Sequence, residues 1–192
     1  RGRVLTLKTI TGRMAHHSPN MAQVPAVYSP YGKECRDLWT INNTETHSLV
    51  GTDASSLELR CLAHMMGDAE YIQEILTGDI HTANMKLIGL DNRDQAKTFI
   101  FAFLYGAGPA KIGSIVCKQW LIYIIKKINQ FDIDAKLVAS IHDEYQFEVN
   151  NKDVTSFCNI TKEAIKETTR TLSMKCELDC DYKVGKTWAI TH

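Results

Sequence analysis

The sequence predicts an α+β domain in which an antiparallel sheet is packed with helices. Three observations carry that expectation. Residues 136–149 read as a hairpin: LVASI, a tight turn at His142-Asp143, then Tyr145, Phe147 and Val149 in alternation. Residues 154–172 place Val154, Phe157, Thr161, Ile165, Thr168 and Leu172 on one helical face. Residues 47–53 (HSLVGTD) read as a short buried strand ahead of a further helical pattern.

The remaining elements follow in order. Residues 1–40 are loop-rich, with Gly2, Gly12, Pro19, Pro25, Pro30 and Gly32. Ser55-Ser56-Leu57-Glu58 matches a capping box, which predicts a helix to about Met66 with Leu57, Cys61, Leu62 and Met65 on one face. A second helix spans about Ala69 to Leu76 and ends at Gly78. Residues 79–89 read as helical. Asn92 is the expected cap of a long helix from Arg93 to about Tyr105, stopped by Gly106-Ala107-Gly108-Pro109. Residues 110–130 read as helix again. A last strand is expected to carry Cys176, Leu178 and Cys180. There is no internal repeat and no low-complexity segment.

Composition sets the broad class. The chain has 192 residues, 44% hydrophobic and 23% charged, enough for one domain with a real core. Net charge is zero, but it is unevenly spread. Residues 1–40 and 93–136 are rich in Lys and Arg, and residues 140–181 are rich in acids. A neutral chain of this kind can still present a basic face, although ordinary solvated faces would give the same count. The six cysteines form no CxxC pair and no zinc-finger spacing, so they read as reduced thiols of an intracellular protein. No run of about 18 apolar residues predicts a membrane span. The N-terminus has neither signal peptide nor initiator Met, and the chain reads as a piece of something longer.

Three segments carry chemistry. The first is Val50 to Arg60, where Asp53 ends a strand just before a helix, with small residues around it. Alone, Asp53 could equally be a helix cap. The second is Ile141-His142-Asp143-Glu144 at a hairpin tip, where successive carboxylates repel unless a cation or solvent compensates. Alone, it could equally be a solvated turn. Together, two Asp residues on strand ends of one small sheet can meet and hold magnesium, whose other ligands are waters and substrate phosphates. A pair of ions held this way can activate an attacking hydroxyl and steady a leaving pyrophosphate. The third segment is Arg93 to Gly106. Arg93, Lys97 and Phe101 are spaced by four and share one helix face. Two cations followed by an aromatic ring suit a nucleoside triphosphate, although a plain amphipathic helix has the same pattern.

At these residues the chain resembles a family A DNA polymerase, the class of bacterial polymerase I, and in particular the replicative polymerases of short-tailed phages. DASSLELRCLAH at 53–64 resembles motif A, RDQAKTFIFAFLYGAG at 93–108 motif B, and HDEYQFEV at 142–149 motif C. TGRMAHHSPNMAQVP at 11–25 is similar to the family's primer-template segment, and GDIHT at 78–82 and the C-terminal GKTWAITH also match. The resemblance implies a palm with the primer-template segment and motif A at 1–66. It implies partial fingers with motif B at 67–116, and palm again at 117–192 with motif C and a C-terminal helix and strand.

By position, the resemblance further implies that Asp53 and Asp143 bind two Mg2+ ions, with the Ala54 carbonyl as a further ligand. His81, Arg93 and Lys97 would hold the triphosphate, and Lys97 would protonate the departing pyrophosphate. Tyr105 would stack near the templating position. Arg13 and Gln23 would touch primer-template DNA, and His142 and Glu144 would lie beside the primer terminus. Glu58 would exclude a 2′-hydroxyl, which argues against a single-subunit RNA polymerase. Phe101 in place of Tyr implies discrimination against dideoxynucleotides. The implied activity is DNA-templated addition of deoxynucleotides to a primer 3′ end, without a membrane, in a host or bacterial cytoplasm.

The pattern breaks after AKIGSIV at 110–116. Related polymerases carry a long stretch there, whereas here CKQWLIYIIKKIN at 117–129 follows at once. Thumb and 3′–5′ exonuclease segments are not represented either. Loss of phosphate contacts costs orders of magnitude in DNA affinity at ordinary salt. The alternative expectation is therefore a catalytically impaired remnant that binds DNA, or a second chain supplying the missing fingers, thumb or exonuclease.

Overall fold

A computed structural model describes residues 3–6, 8–9, 12–79, 82, 85 and 109–192, with backbone alone for residues 109–112. The segments rich in β-branched and aromatic residues assemble into an antiparallel sheet. Its strands are β3 (His47–Ala54), β4 (Ala135–Ile141), β5 (Glu144–Asn150) and β6 (Cys180–Gly185), in the order β4-β5-β3-β6. A separate two-stranded ribbon pairs β1 (Arg3–Leu5) with β2 (Ala15–His17). The helices are α1 (Gly32–Asp37), α2 (Leu57–Met66), α3 (Ala69–Thr77), α4 (Pro109–Gln130), α5 (Val154–Thr171) and α6 (Trp188–Thr191).

One face of the sheet is covered by α4 and α5. Trp120 and Ile124 of α4 meet Tyr145 and Phe147 of β5 and Phe157 and Ile165 of α5, all fully buried. Trp120 and Tyr145 lie with ring centroids 5.2 Å apart, and Phe147 and Phe157 4.8 Å apart, both tilted as aromatic quadrupoles favour. The polar ends of these large side chains are satisfied. Trp120 Nε1 donates to the Thr161 carbonyl at 3.0 Å, and Tyr145 Oη to the Cys117 carbonyl at 2.8 Å. The predicted face of α5 is the one observed, with Phe157, Thr161, Ile165 and Thr168 buried. Its buried Thr168 hydroxyl donates back to the Ala164 carbonyl at 2.9 Å.

The other face of the sheet is closed by a smaller cluster of Met21, Ile41, Leu49, Ile141 and Trp188. This two-sided cover explains why β3 is buried almost throughout rather than in alternation. At Gly51 the approach is so close that an added Cβ would lie 2.2 Å from the Thr191 carbonyl oxygen and 2.4 Å from Gln146 Nε2. Only glycine fits there.

α4 opens at Pro109, a residue suited to the first helical turn. It then runs without interruption through Val116 and Cys117, where the sequence pattern breaks. Both residues are buried in the main core, so the segments before and after the break share one helix and one packing surface.

Three local expectations are corrected. The capping box at 55–58 does not form. Ser56 is the N-cap in the left-handed region with no side-chain cap bond, Ser55 bonds elsewhere, and Glu58 is taken by an arginine. The last strand starts at Cys180, not at Cys176. Cys176 and Leu178 are buried, but the segment 176–179 lies outside the ladder. The loop-rich stretch 1–40 also holds the β1–β2 ribbon and α1. The helices expected over 79–89 and 93–105 fall largely or wholly outside the described residues.

Candidate active site

The site grows from the ends of two adjacent strands. β3 ends at Asp53-Ala54, and its neighbour β5 begins at Glu144, directly opposite Asp53. Asp143 lies in the two-residue turn just before β5, where His142 adopts a positive φ of 54°. The Ala54 amide donates to the Asp143 carbonyl at 3.2 Å, which locks the two strand ends together. Residues 90 positions apart in the chain thus lie together at one end of the two central strands.

The electrostatics at this edge are unbalanced. Burial, then Asp143, Glu144, Asp181 and Glu58, push the Asp53 carboxyl up from 3.8 to about 8. Burial and Glu58 push Asp143 up to about 6, against its own backbone amide and Arg13. Asp53 is crowded by protein around its carboxyl yet keeps a solvent-facing surface, and Asp143 is half-buried, so a ligand can reach both. Adjacent carboxylates held this way favour a bound cation. Their hard oxygen donors suit magnesium, which takes few protein ligands and completes its shell with water and phosphate. Among the described residues no cluster of three or more His, Cys, Asp or Glu forms a self-sufficient metal site, so Asp53 and Asp143 would supply only part of a coordination shell.

Beside these carboxylates lies a cleft lined by Arg13, Leu57, Glu58, Lys118, His142 and Asp143. Arg13 Nη2 pairs with Glu58 Oε1 at 2.5 Å. The loop that carries Arg13 is anchored to α4, because Ser114 Oγ and Lys118 Nζ donate to the Gly12 carbonyl at 2.6 and 2.8 Å. Burial and the nearby Arg13 charge pull His142 below its ordinary value.

The expected site residues divide as follows. Arg13, Asp53, Ala54, Glu58, His142 and Asp143 gather at this edge and cleft. Gln23 is exposed on a short 3-10 helix, Met21–Gln23, that packs near β2 and β4. Glu144 is turned into the fold. Its carboxylate accepts from Gln146 Nε2 at 2.5 Å and Trp188 Nε1 at 2.9 Å, and bonds His192 Nδ1 at 2.6 Å. Burial alone would raise its pKa, but these partners hold it below the ordinary range. His81, Arg93, Lys97, Phe101 and Tyr105 lie outside the described residues. Sequence reasoning missed Asp181, which stands opposite Asp53 on β6, and the Trp188–His192 support beneath Glu144. An acid at period two in the last strand was the available signal for Asp181.

Comparison with known proteins identifies the family and the fold. The model of DNA polymerase family A matches residues 1–116 and 113–190, two stretches that meet where the sequence pattern breaks. The DNA-directed DNA polymerase of Escherichia phage T7 is 51% identical over 119 residues, covering 56% of this chain and 16% of that protein. That of Escherichia phage Phieco32 is 27% identical over 265 aligned positions, covering 86% of this chain and 41% of that protein. An alignment longer than the chain itself requires long gaps in it. The chain spans well under half the length of these relatives. In structure, the POL domain of Pol1 from M. smegmatis, solved with DNA primer-template and dNTP, superposes over 99% of this chain and 48% of that one. Its TM-score is 0.86 at 14% identity, so the fold is shared. The chain therefore belongs to DNA polymerase family A.

Proposed function

We propose that this chain is the catalytic core fragment of a DNA-templated DNA polymerase, adding deoxynucleotides to a primer 3′ end. The observation that carries the proposal is the pairing of Asp53 and Asp143 at one sheet edge, two carboxylates raised in pKa by burial and by acidic neighbours. Asp53, Asp143 and the Ala54 carbonyl are suited to hold two Mg2+ ions. Bound there, such ions supply activation of the primer hydroxyl and charge neutralisation on the leaving pyrophosphate. Glu58, paired with Arg13, would press beneath the incoming sugar and exclude a 2′-hydroxyl. His142 and Arg13 line the cleft where the primer end would lie. By resemblance, His81, Arg93 and Lys97 hold the triphosphate, Lys97 protonates pyrophosphate, and Phe101 and Tyr105 meet the nucleotide and template. Much of the catalytic effect in such a reaction comes from positioning and fixed charge.

One observation favours a second reading, a catalytically impaired remnant that still binds DNA or a partner chain. The family match falls in two stretches that meet at 113–116, and α4 continues through that point. A second chain supplying fingers, thumb or exonuclease would restore grip on the duplex. Among the described residues no helix is long and apolar enough to cross a membrane. The proposed place of action is the interior of a cell, with primer-template DNA and deoxynucleoside triphosphates as partners.

Magnesium-dependent binding of a deoxynucleoside triphosphate to the chain, lost in Asp53→Asn, tests the site. Binding unaffected by that substitution refutes it. Primer extension by the isolated chain separates the two readings. Robust processive synthesis would exclude the remnant, and binding without extension would exclude an independent polymerase.

A further inference from the structure

The turn that leaves β3 after Asp53 has no helix cap to hold it, since Ser56 sits in the left-handed region without a side-chain cap bond. Three other bonds fix it. The Ala54 amide reaches the Asp143 carbonyl at 3.2 Å, the Ser55 amide reaches the Asp179 carbonyl at 2.9 Å, and Ser55 Oγ donates to Asp181 Oδ2 at 2.9 Å. The third is the only one of these made by side chains.

Asp181 is the Cα partner of Asp53 across β3 and β6, and Glu144 is its partner on the other side. Directly opposed like charges disfavour pairing. An acid at position 181 therefore works against the local sheet unless its carboxylate has a task. The Ser55 hydroxyl gives it one. A charged acceptor makes a stronger bond than a neutral one, and this bond grips the residue two positions beyond Asp53.

We infer that Asp181 is a positioning residue for the proposed cation site, accepting from Ser55 so that the Asp53-Ala54 turn presents its oxygens in a fixed arrangement. Asp181 acts through Ser55 and contributes no ligand of its own. The inference rests on the polymerase reading of Asp53 and Asp143.

The test is Mn2+ titration of the full chain in the presence of a deoxynucleoside triphosphate, with free Mn2+ read by electron paramagnetic resonance. Loss of one charge-assisted hydrogen bond corresponds to about 10- to 150-fold in affinity when the bond is shielded, and solvent exposure of this one lowers the expectation to about 5- to 30-fold. Ser55→Ala and Asp181→Ala are each expected to weaken Mn2+ binding within that range. The double variant is expected to lose no more than either single, because one bond is removed. Asp181→Asn keeps an accepting oxygen but loses the charge, so it is expected to weaken binding clearly less than Asp181→Ala does. A drop in Asp181→Asn equal to that in Asp181→Ala overturns the inference, because charge would then be the cause. Unchanged affinity in Ser55→Ala overturns it too. Asp53→Asn serves as the control for the underlying reading. If wild type and Asp53→Asn bind Mn2+ alike, the cation site itself is refuted and this inference with it. If only Asp53→Asn weakens binding, the site stands and Asp181 has no part in it.

Discussion

Replacing Asp53 by Asn is expected to make the metal-free protein more stable at pH 8, while removing its response to magnesium. The folded chain raises the Asp53 carboxyl from 3.8 to about 8. Between those values the native state keeps a proton that the unfolded chain has lost. Stability from this group is therefore complete below pH 3.8 and falls away as pH rises through about 8. Asp143, raised to about 6, acts in the same direction over a narrower range. Converted at about 1.36 kcal/mol per tenfold change in proton affinity, the Asp53 rise would be about 6 kcal/mol. That is a ceiling, because Asp53 is open to solvent and water screens its neighbours. About 1–2 kcal/mol is a reasonable remainder for an exposed carboxyl among four acids. For a chain of this size that corresponds to roughly 2–8 °C in Tm. Thermal unfolding followed by circular dichroism in chelator at pH 5 and pH 8 measures it. Wild type should lose stability between the two values, and Asp53→Asn should lose less. Added magnesium should then raise the wild-type Tm by mass action and leave the variant nearly unmoved. A variant less stable than wild type at pH 8, or equally stabilised by magnesium, would refute the reasoning.

Further outcomes follow from other parts of the structure. Glu144→Ala leaves the Trp188 donor buried without its acceptor and Gln146 with only a long bond to the Thr191 carbonyl, and should cost about 2–3 kcal/mol in denaturant unfolding. Because the Glu144 carboxyl is held below 4.5, its contribution is present above that value and is lost on acidification, so the penalty should shrink in acid. Ser56→Gly relieves a left-handed residue at φ 51° and should stabilise by roughly 0.5–1 kcal/mol, and a loss of stability would show that the backbone is not strained there. In an active form of the enzyme, Phe101→Tyr should raise incorporation of dideoxynucleotides relative to deoxynucleotides, and equal selectivity in both forms would dismiss the assigned role.

Much of the architecture was legible because its signals are local. The 142–143 turn, the apolar face of α5 and the continuous helix after Pro109 each depend on residues within a few turns of one another, where period and turn chemistry suffice. The placement of Asp53 at the end of a strand and of Asp143 in a hairpin turn was also legible, whereas the pairing of β3 with β5 that brings them together is a tertiary fact. The capping box failed for a different reason. Its sequence pattern is present at 55–58, but Asp181 and Arg13 compete for the same side chains with stronger, charge-assisted bonds. Glu144 shows the same limit, because a carboxylate at a hairpin tip looks solvated until the residues packed beneath it are known.

By itself, then, the sequence determined the family, the order of elements, the acid at the end of β3 and the acid in the hairpin turn. Only the tertiary structure decided which partners those groups have. Arg13 meets Glu58 across 45 residues, Glu144 meets His192 across 48, and Ser55 meets Asp181 across 126. The last two pairs are set by sheet register and by the docking of the C-terminal segment against β3 and β6, and the first by the anchoring of the Arg13 loop to α4. A one-residue slip in register would turn Glu144 and Asp181, the two that sit on strands, to the opposite face and break their pairs.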